Sequence, residues 1–178
     1  MSLIDQSYFK GELLIPHLTQ AVDIAALQLL IDAKESELLT KLLGYELYKL
    51  YVAGITANTQ KYKDIRDGKE YTNSSGSLTK WVGLAFTVGT IKKSLIANYV
   101  YCCYQINNYT FTTGSGEKKT DLAINALPED KVNRAWNEMV SWNVDLYEFL
   151  STNKVDYPEY VKVIIDSELY NKKNRFNI

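Results

Sequence analysis

One stretch constrains this chain more than any other: residues 91–109, Ile-Lys-Lys-Ser-Leu-Ile-Ala-Asn-Tyr-Val-Tyr-Cys-Cys-Tyr-Gln-Ile-Asn-Asn-Tyr. From Leu95 to Ile106 only Asn98 and Gln105 are plainly polar, and their spacing puts both on one helical face. A helix that is apolar around the rest of its circumference has to be buried. It is too short for a membrane span, which needs about 20 apolar residues, and Lys92 and Lys93 abut it. The stretch therefore reads as the central helix of a bundle. Its Leu95, Ile96, Val100, Cys103 and Ile106 are expected to face Trp136, Met139 and Leu146.

The chain has 178 residues, which predicts one helical domain over 1–178. A chain of that size buries roughly 70 % of its unfolded surface and needs no disulfide or metal to fold. Twenty basic and 21 acidic residues give a net charge of −1, which argues against a general nucleic-acid binder. The two cysteines, Cys102 and Cys103, are adjacent. They point apart on a helix and cannot form an ordinary disulfide. They read as small buried hydrophobes, with no basic neighbour in sequence to activate either thiol. The start, Met-Ser-Leu-Ile-Asp, lacks the basic and apolar regions of a signal peptide. Fourteen tyrosines suit either an interface or a Tyr-rich rim around the core.

Gly11 and Pro16 break residues 1–18 into an extended arm, which either lies on the domain or reaches a neighbour. Asp23 is expected to cap a first helix carrying Ile24, Leu27, Ile31, Leu38 and Leu42, interrupted at Lys34–Glu35 and stopped by Gly44. Its Asp32, Glu35 and Glu37 read as a solvated face. A short second helix is expected to stop at Gly54. A third, capped by Asn58 or Thr59, spans Gln60 to Asp67. Residues 69–81 predict a hairpin around Asn73–Ser77, anchored by Trp81 and Leu84. Gly83 and Gly89 loosen the approach to the central helix. Residues 110–127 read as an exposed loop, with an arm-like strand at its start. Pro128 opens a long helix to about Thr152, striped by apolar residues with Asn143 as its one polar gap. Pro158 opens a last helix with Tyr160, Val161, Ile164, Ile165 and Leu169, and residues 171–178 form a basic, mobile tail. The fold class is thus mainly α: a small helical bundle around a buried central helix, with one short β-hairpin and extended arms.

No catalytic constellation emerges. The single histidine, His17, has no ligand cluster around it. Gly114-Ser-Gly-Glu-Lys-Lys-Thr fails as a phosphate loop, because position 117 is Glu where Lys is required and position 111 is Phe where Gly is required. The expectation is no enzyme, no cofactor and no metal.

The order of features resembles the head-to-tail connector (adaptor) proteins of long-tailed bacteriophages and prophages, most nearly those of phages of gut Bacteroidetes. Four segments carry the resemblance: Tyr8-Phe-Lys-Gly-Glu-Leu-Leu-Ile-Pro-His-Leu, Leu42-Leu-Gly-Tyr-Glu-Leu-Tyr, Lys80-Trp-Val-Gly-Leu and Ser94-Leu-Ile-Ala-Asn-Tyr-Val-Tyr. They span about the first 120 residues. The resemblance implies a ring, dodecameric as in the family, between portal and tail proteins, with non-specific DNA in its lumen. It implies a place in the virion, and in the host cytoplasm during assembly, with no membrane partner. Neighbour contacts would then fall on Tyr8, Phe9 and Leu13 of the arm, Ser75 and Gly76 of the hairpin turn, and Phe111, Thr113, Gly114 and Gly116 of the loop. DNA would meet Lys118, Lys119, Lys172, Lys173 and Arg175. A mere solubilising end is the other reading of the tail. The rival reading of the whole is a non-viral helical binding or regulatory module without catalysis.

Overall fold

In the computed structural model the described residues are 2–15, 18, 20–113, 116–119, 129–161 and 168–173, with only the backbone described over 108–113, 116–119 and 129. Five helices carry the fold: α1 (Ala21–Leu43), α2 (Tyr45–Thr56), α3 (Gln60–Asp67), α4 (Leu95–Tyr109) and α5 (Glu129–Thr152). Three antiparallel two-stranded ribbons join them: β1 (Lys69–Thr72) with β2 (Leu78–Trp81), β3 (Ala85–Val88) with β4 (Ile91–Ser94), and β5 (Thr110–Thr113) with β6 (Gly116–Lys119). The mainly helical class and the hairpin over 69–81 are as the sequence predicts.

α4 is central. Every residue from Leu95 to Cys102 is buried, and the helix packs most extensively on α5 and then on α1. Its start is fixed by Ser94. The Ser94 hydroxyl accepts from the Ile96 N–H at 3.1 Å and donates to the Leu84 carbonyl at 2.8 Å. That is an N-cap, so the residues before it are free to pair as strand β4 with β3 in the register Ala85↔Ser94 to Val88↔Ile91. The outer end of the expected core is corrected: Cys103 is only half-buried and Ile106 is 55 % exposed. Trp136, Met139 and Leu146 on α5 are buried as expected.

α1 is unbroken through Lys34–Glu35. Its N-cap is Gln20, and Asp23 instead lies in the first turn, where an acid favours the helix dipole. Gly54 does not stop α2. A Cβ there would meet the Tyr62 ring at 1.9 Å, so the missing side chain lets α3 pack on α2. Gly83 is a tight contact rather than a loose one: at φ +97 its Cβ would lie 2.6 Å from the Arg66 carbonyl oxygen.

The first hairpin sits on the end of α5. Trp81 stacks on Phe149 with centroids 6.2 Å apart and donates its indole N–H to the Ile65 carbonyl at 2.8 Å, while Tyr71 meets Phe149 edge-on. Leu84 is fully buried beside it. The second ribbon docks through Phe86, edge-on to Trp142 at 5.3 Å. The third continues directly from α4, so the expected loop over 110–127 is strand over 110–113 and 116–119.

The first and last described segments lie on the bundle. The arm folds into two 3₁₀ turns, Gln6–Tyr8 and Gly11–Leu13, and buries Ile4, Phe9 and Ile15 in the core. At the other end Pro158–Val161 is turn and coil, not helix, while Ile164 and Ile165 lie outside the described residues. The expected mobile tail is corrected over 171–173. The Trp136 indole N–H donates to the Asn171 carbonyl at 2.9 Å, and Asn137 exchanges hydrogen bonds with the Lys173 backbone at 2.7 and 2.8 Å. The polar gap in the α5 stripe has the same purpose, since buried Asn143 donates to the Leu169 carbonyl at 2.7 Å.

Candidate interaction surfaces

The sequence-predicted contact residues fall into different environments. Phe9 is 2 % exposed and belongs to this chain's own core, while Tyr8 and Leu13 are half-buried beside it. Ser75 and Gly76 are exposed in a turn organised by Asn73, whose Oδ1 accepts the N–H groups of Ser75 and Ser77 at 3.1 and 2.9 Å. That side chain replaces the missing turn partners and stiffens the tip. Phe111, Thr113, Gly116, Lys118 and Lys119 lie in β5–β6 with the register Phe111↔Lys118 and Thr113↔Gly116. Gly114 and Arg175 lie outside the described residues, as do His17 and Pro128. Lys172 is exposed, and the Lys173 ammonium sits 4.0 Å from the centroid of Trp136.

Exposed apolar side chains are spread over the arm, the helices and the ribbons, with Val22, Leu29 and Val155 among the most exposed. Leu78 opens β2 at 75 % exposure, and Val88 and Ile91 face each other across the β3–β4 turn at 56 % and 55 %. Val88 and Ile91 make a small apolar pair at the tip of one ribbon. Two clefts, about 340 and 290 Å³, flank the Gly11–Leu13 turn and are lined by Lys10, Lys92, Lys93, Lys131 and Arg134 with Glu12 and Glu138. Lys93 pairs with Glu138 at 3.1 Å, and Lys92 donates to the Ser7 hydroxyl at 2.7 Å.

The expected solvated face Asp32, Glu35, Glu37 is corrected. Glu35 is buried, and both its oxygens accept the Leu3 N–H at 3.0 Å. Burial pushes its carboxyl above the ordinary value, opposed by the Leu3 and Ile4 N–H groups. Asp32 stays exposed and accepts from the Ser2 hydroxyl and from Gln28; the Ser2 bond first, then Gln28, lowers its pKa. Glu37 is held down to about 2, first by Lys34, then by Lys41, with the Tyr99 hydroxyl adding a third hydrogen bond. These lysines also lie within electrostatic reach of Cys103, so the fold supplies the basic neighbours absent from the local sequence. Burial still outweighs them and raises the Cys103 thiol. Cys102, 1 % exposed, is pushed up to about 12 by burial.

Sequence reasoning missed Glu35, although a signal was present: it falls four residues after Ile31 and three before Leu38, on the apolar stripe itself. It also missed Val88 and Ile91, whose strand pattern was hidden by the helix that follows. Among the described residues no group of three or more His, Cys, Asp or Glu side chains is placed to hold a metal. No described helix is long and apolar enough to cross a membrane. No protein family, no curated protein and no solved structure matches the chain.

Proposed function

We propose that the protein is a non-enzymatic assembly component, a head-to-tail connector that forms a ring between a phage portal and its tail. The observation that carries the reading is the display of Leu78, Val88 and Ile91 at 55–75 % exposure on ribbons that are themselves anchored to the bundle. Anchored strands with apolar ends suit contact with a neighbour, by side-chain docking or by main-chain pairing along an open edge. Repeated head-to-tail, such a contact closes into a ring when its rotation permits. The motif resemblance supplies the identity of the partners. DNA in the lumen would be met by local cations, with Lys10, Lys92, Lys131 and Arg134 near the arm joining the tail lysines.

The test mixes the purified chain with the cognate portal ring and follows assembly by native mass measurement. A Val88→Ser/Ile91→Ser variant removes only exposed apolar surface and should keep its thermal midpoint. Loss of portal-dependent assembly in that variant is the expected result. A parent chain that never joins the portal, or a variant that assembles as well as the parent, overturns the reading.

A further inference from the structure

Helix α1 presents an exposed face that contact with solvent does not account for. Between Ala21 and Ala33 its exposed positions are four alanines, Val22 and Leu29 at 76 % and 72 % exposure, and two acids, Asp23 and Asp32. No lysine or arginine lies among them. The outer face of a surface helix is ordinarily charged and polar. Beyond Ala33 the same helix returns to that pattern, with Lys34, Glu37 and Lys41 joined by ion pairs. Depletion of charge from an apolar surface is what marks the core of an interface.

Val22 and Leu29 are seven residues apart, so they stand on one side of the helix. Ala25 and Ala26 lie between them and leave a hollow. A cleft of about 400 Å³ opens at the edge of this face, between Ala21, Ile24 and Ala25 and the arm residues Asp5–Ser7. The face suits a partner that protrudes, is apolar and carries positive charge. The β3–β4 turn is such a projection. Val88 and Ile91 are 56 % and 55 % exposed, the Lys92 side chain is 42 % exposed, and no acid lies between Thr87 and Lys92. A Cβ at Gly89 would meet nothing within 4 Å, so the turn stands clear of its own chain. Within one chain the arm lies between this tip and the α1 face: Ser7 takes the Lys92 ammonium on one side and lines the α1 cleft on the other. The Lys92 ion pair with Asp5 is long, 3.9 Å.

Charge decides which surfaces pair. Two α1 faces brought together would set Asp23 and Asp32 against their own copies, and two tips would set Lys92 against Lys92. A tip on a face instead brings Lys92 to the acids, with Val88 and Ile91 against Val22, Leu29 and the alanines between them. Opposite charges around an apolar contact select the partner and fix its register. We infer that the β3–β4 tip of one copy packs on the α1 face of a second copy. This contact rests on the assembly reading above and names the surface that receives the ribbon. One tip on one helix face is a small interface, under about 1,200 Å², so it is weak in solution and is reinforced where a template lines up successive copies.

The test uses two variants and no portal. Val22→Gln/Leu29→Gln removes apolar surface from the face, and Val88→Ser/Ile91→Ser removes it from the tip. Both act at exposed positions and should keep the parent's thermal midpoint. Self-association is followed by sedimentation equilibrium up to about 1 mM, where weak contacts still register. The parent should associate, and each variant alone should do so about tenfold more weakly. An equimolar mixture of the two variants should recover association, because the intact tip of one meets the intact face of the other. A parent that stays monomeric throughout overturns the contact, as does a face variant that associates like the parent. A mixture no stronger than either variant alone also overturns it, since like surfaces would then be pairing. Portal-dependent assembly of the parent separates this failure from that of the connector reading: if it persists while the mixture fails, only the α1 contact falls.

Discussion

The first and last described segments both lie along helices of the core, yet different chemistry holds them. The arm inserts three apolar side chains, Ile4, Phe9 and Ile15, each 2 % exposed, and donates main-chain N–H groups to one carboxylate of α1, Glu35. The C-terminal segment is held over Leu169–Lys173 by neutral donors and acceptors on one helix: Trp136, Asn137 and Asn143. Apolar insertion is strong and insensitive to pH. A buried carboxylate ties attachment to protonation, whereas amide bonds do not titrate. The arm should therefore be the more costly end to cut and the only one whose attachment responds to acid.

The largest effect is expected from Phe9→Ala. Deleting a fully buried ring costs about 3–5 kcal/mol, read as a shift in the urea midpoint at unchanged slope. A loss under about 1 kcal/mol would mean that the arm only decorates the bundle, and the contrast between the ends would vanish. Next comes Asn143→Ala, which leaves the buried Leu169 carbonyl without its donor. An orphaned acceptor of this kind costs about 1–3 kcal/mol. Hydrogen exchange should speed up at Leu169–Lys173 while the Leu3 and Ile4 amides keep their protection, since local opening reports local attachment. Joint loss of protection at both ends would show one cooperative unit rather than two independently held segments.

Much of this was legible in the sequence, for physical reasons that also explain what was not. A helix apolar around nearly all of its circumference, such as Leu95–Cys102 with Asn98 as its one polar residue, has one consistent environment, so its burial follows from composition alone. The α5 stripe and the Asn73–Ser77 turn are equally local signals. The β3–β4 ribbon was hidden because its outer positions are solvent-facing and its lysines could belong equally to the first turn of α4. Ser94 decides between these, and its cap depends on the Leu84 carbonyl ten residues earlier. Gly54 read as a stop because glycine usually ends helices. Its reason is the Tyr62 ring, a tertiary contact that no local pattern encodes. The ends were least legible, because short polar stretches look mobile until the side chains that bind their backbone are known. Asn143 and Glu35 carried that information as polar interruptions of apolar stripes.

The smallest effect, and the sharpest division, is in pH. Glu35 and Glu37 are two residues apart on α1 with opposite shifts. Glu37 is lowered from 4.5 to about 2 by its lysine partners, so its contribution is complete above pH 4.5 and is lost as pH falls toward 2. With its side chain 35 % exposed, solvent screening keeps that contribution under about 1 kcal/mol. Glu35 is raised above 4.5 by burial, so its favourable contribution is complete below pH 4.5 and is lost as pH rises through the folded-state value. Glu35→Gln keeps an acceptor for the Leu3 N–H and removes the buried charge. At pH 7 the variant should therefore match or exceed the parent by under about 1 kcal/mol, and the two should converge toward pH 4. Glu37→Gln should instead flatten the acid limb alone. Unfolding free energies from pH 3 to 7, with exchange at the Leu3 amide as the arm's own reporter, separate the two. A Glu35→Gln protein that loses more stability at pH 7 than at pH 4 would show that the N–H donors of the arm outweigh burial, making the charged carboxylate itself the clasp.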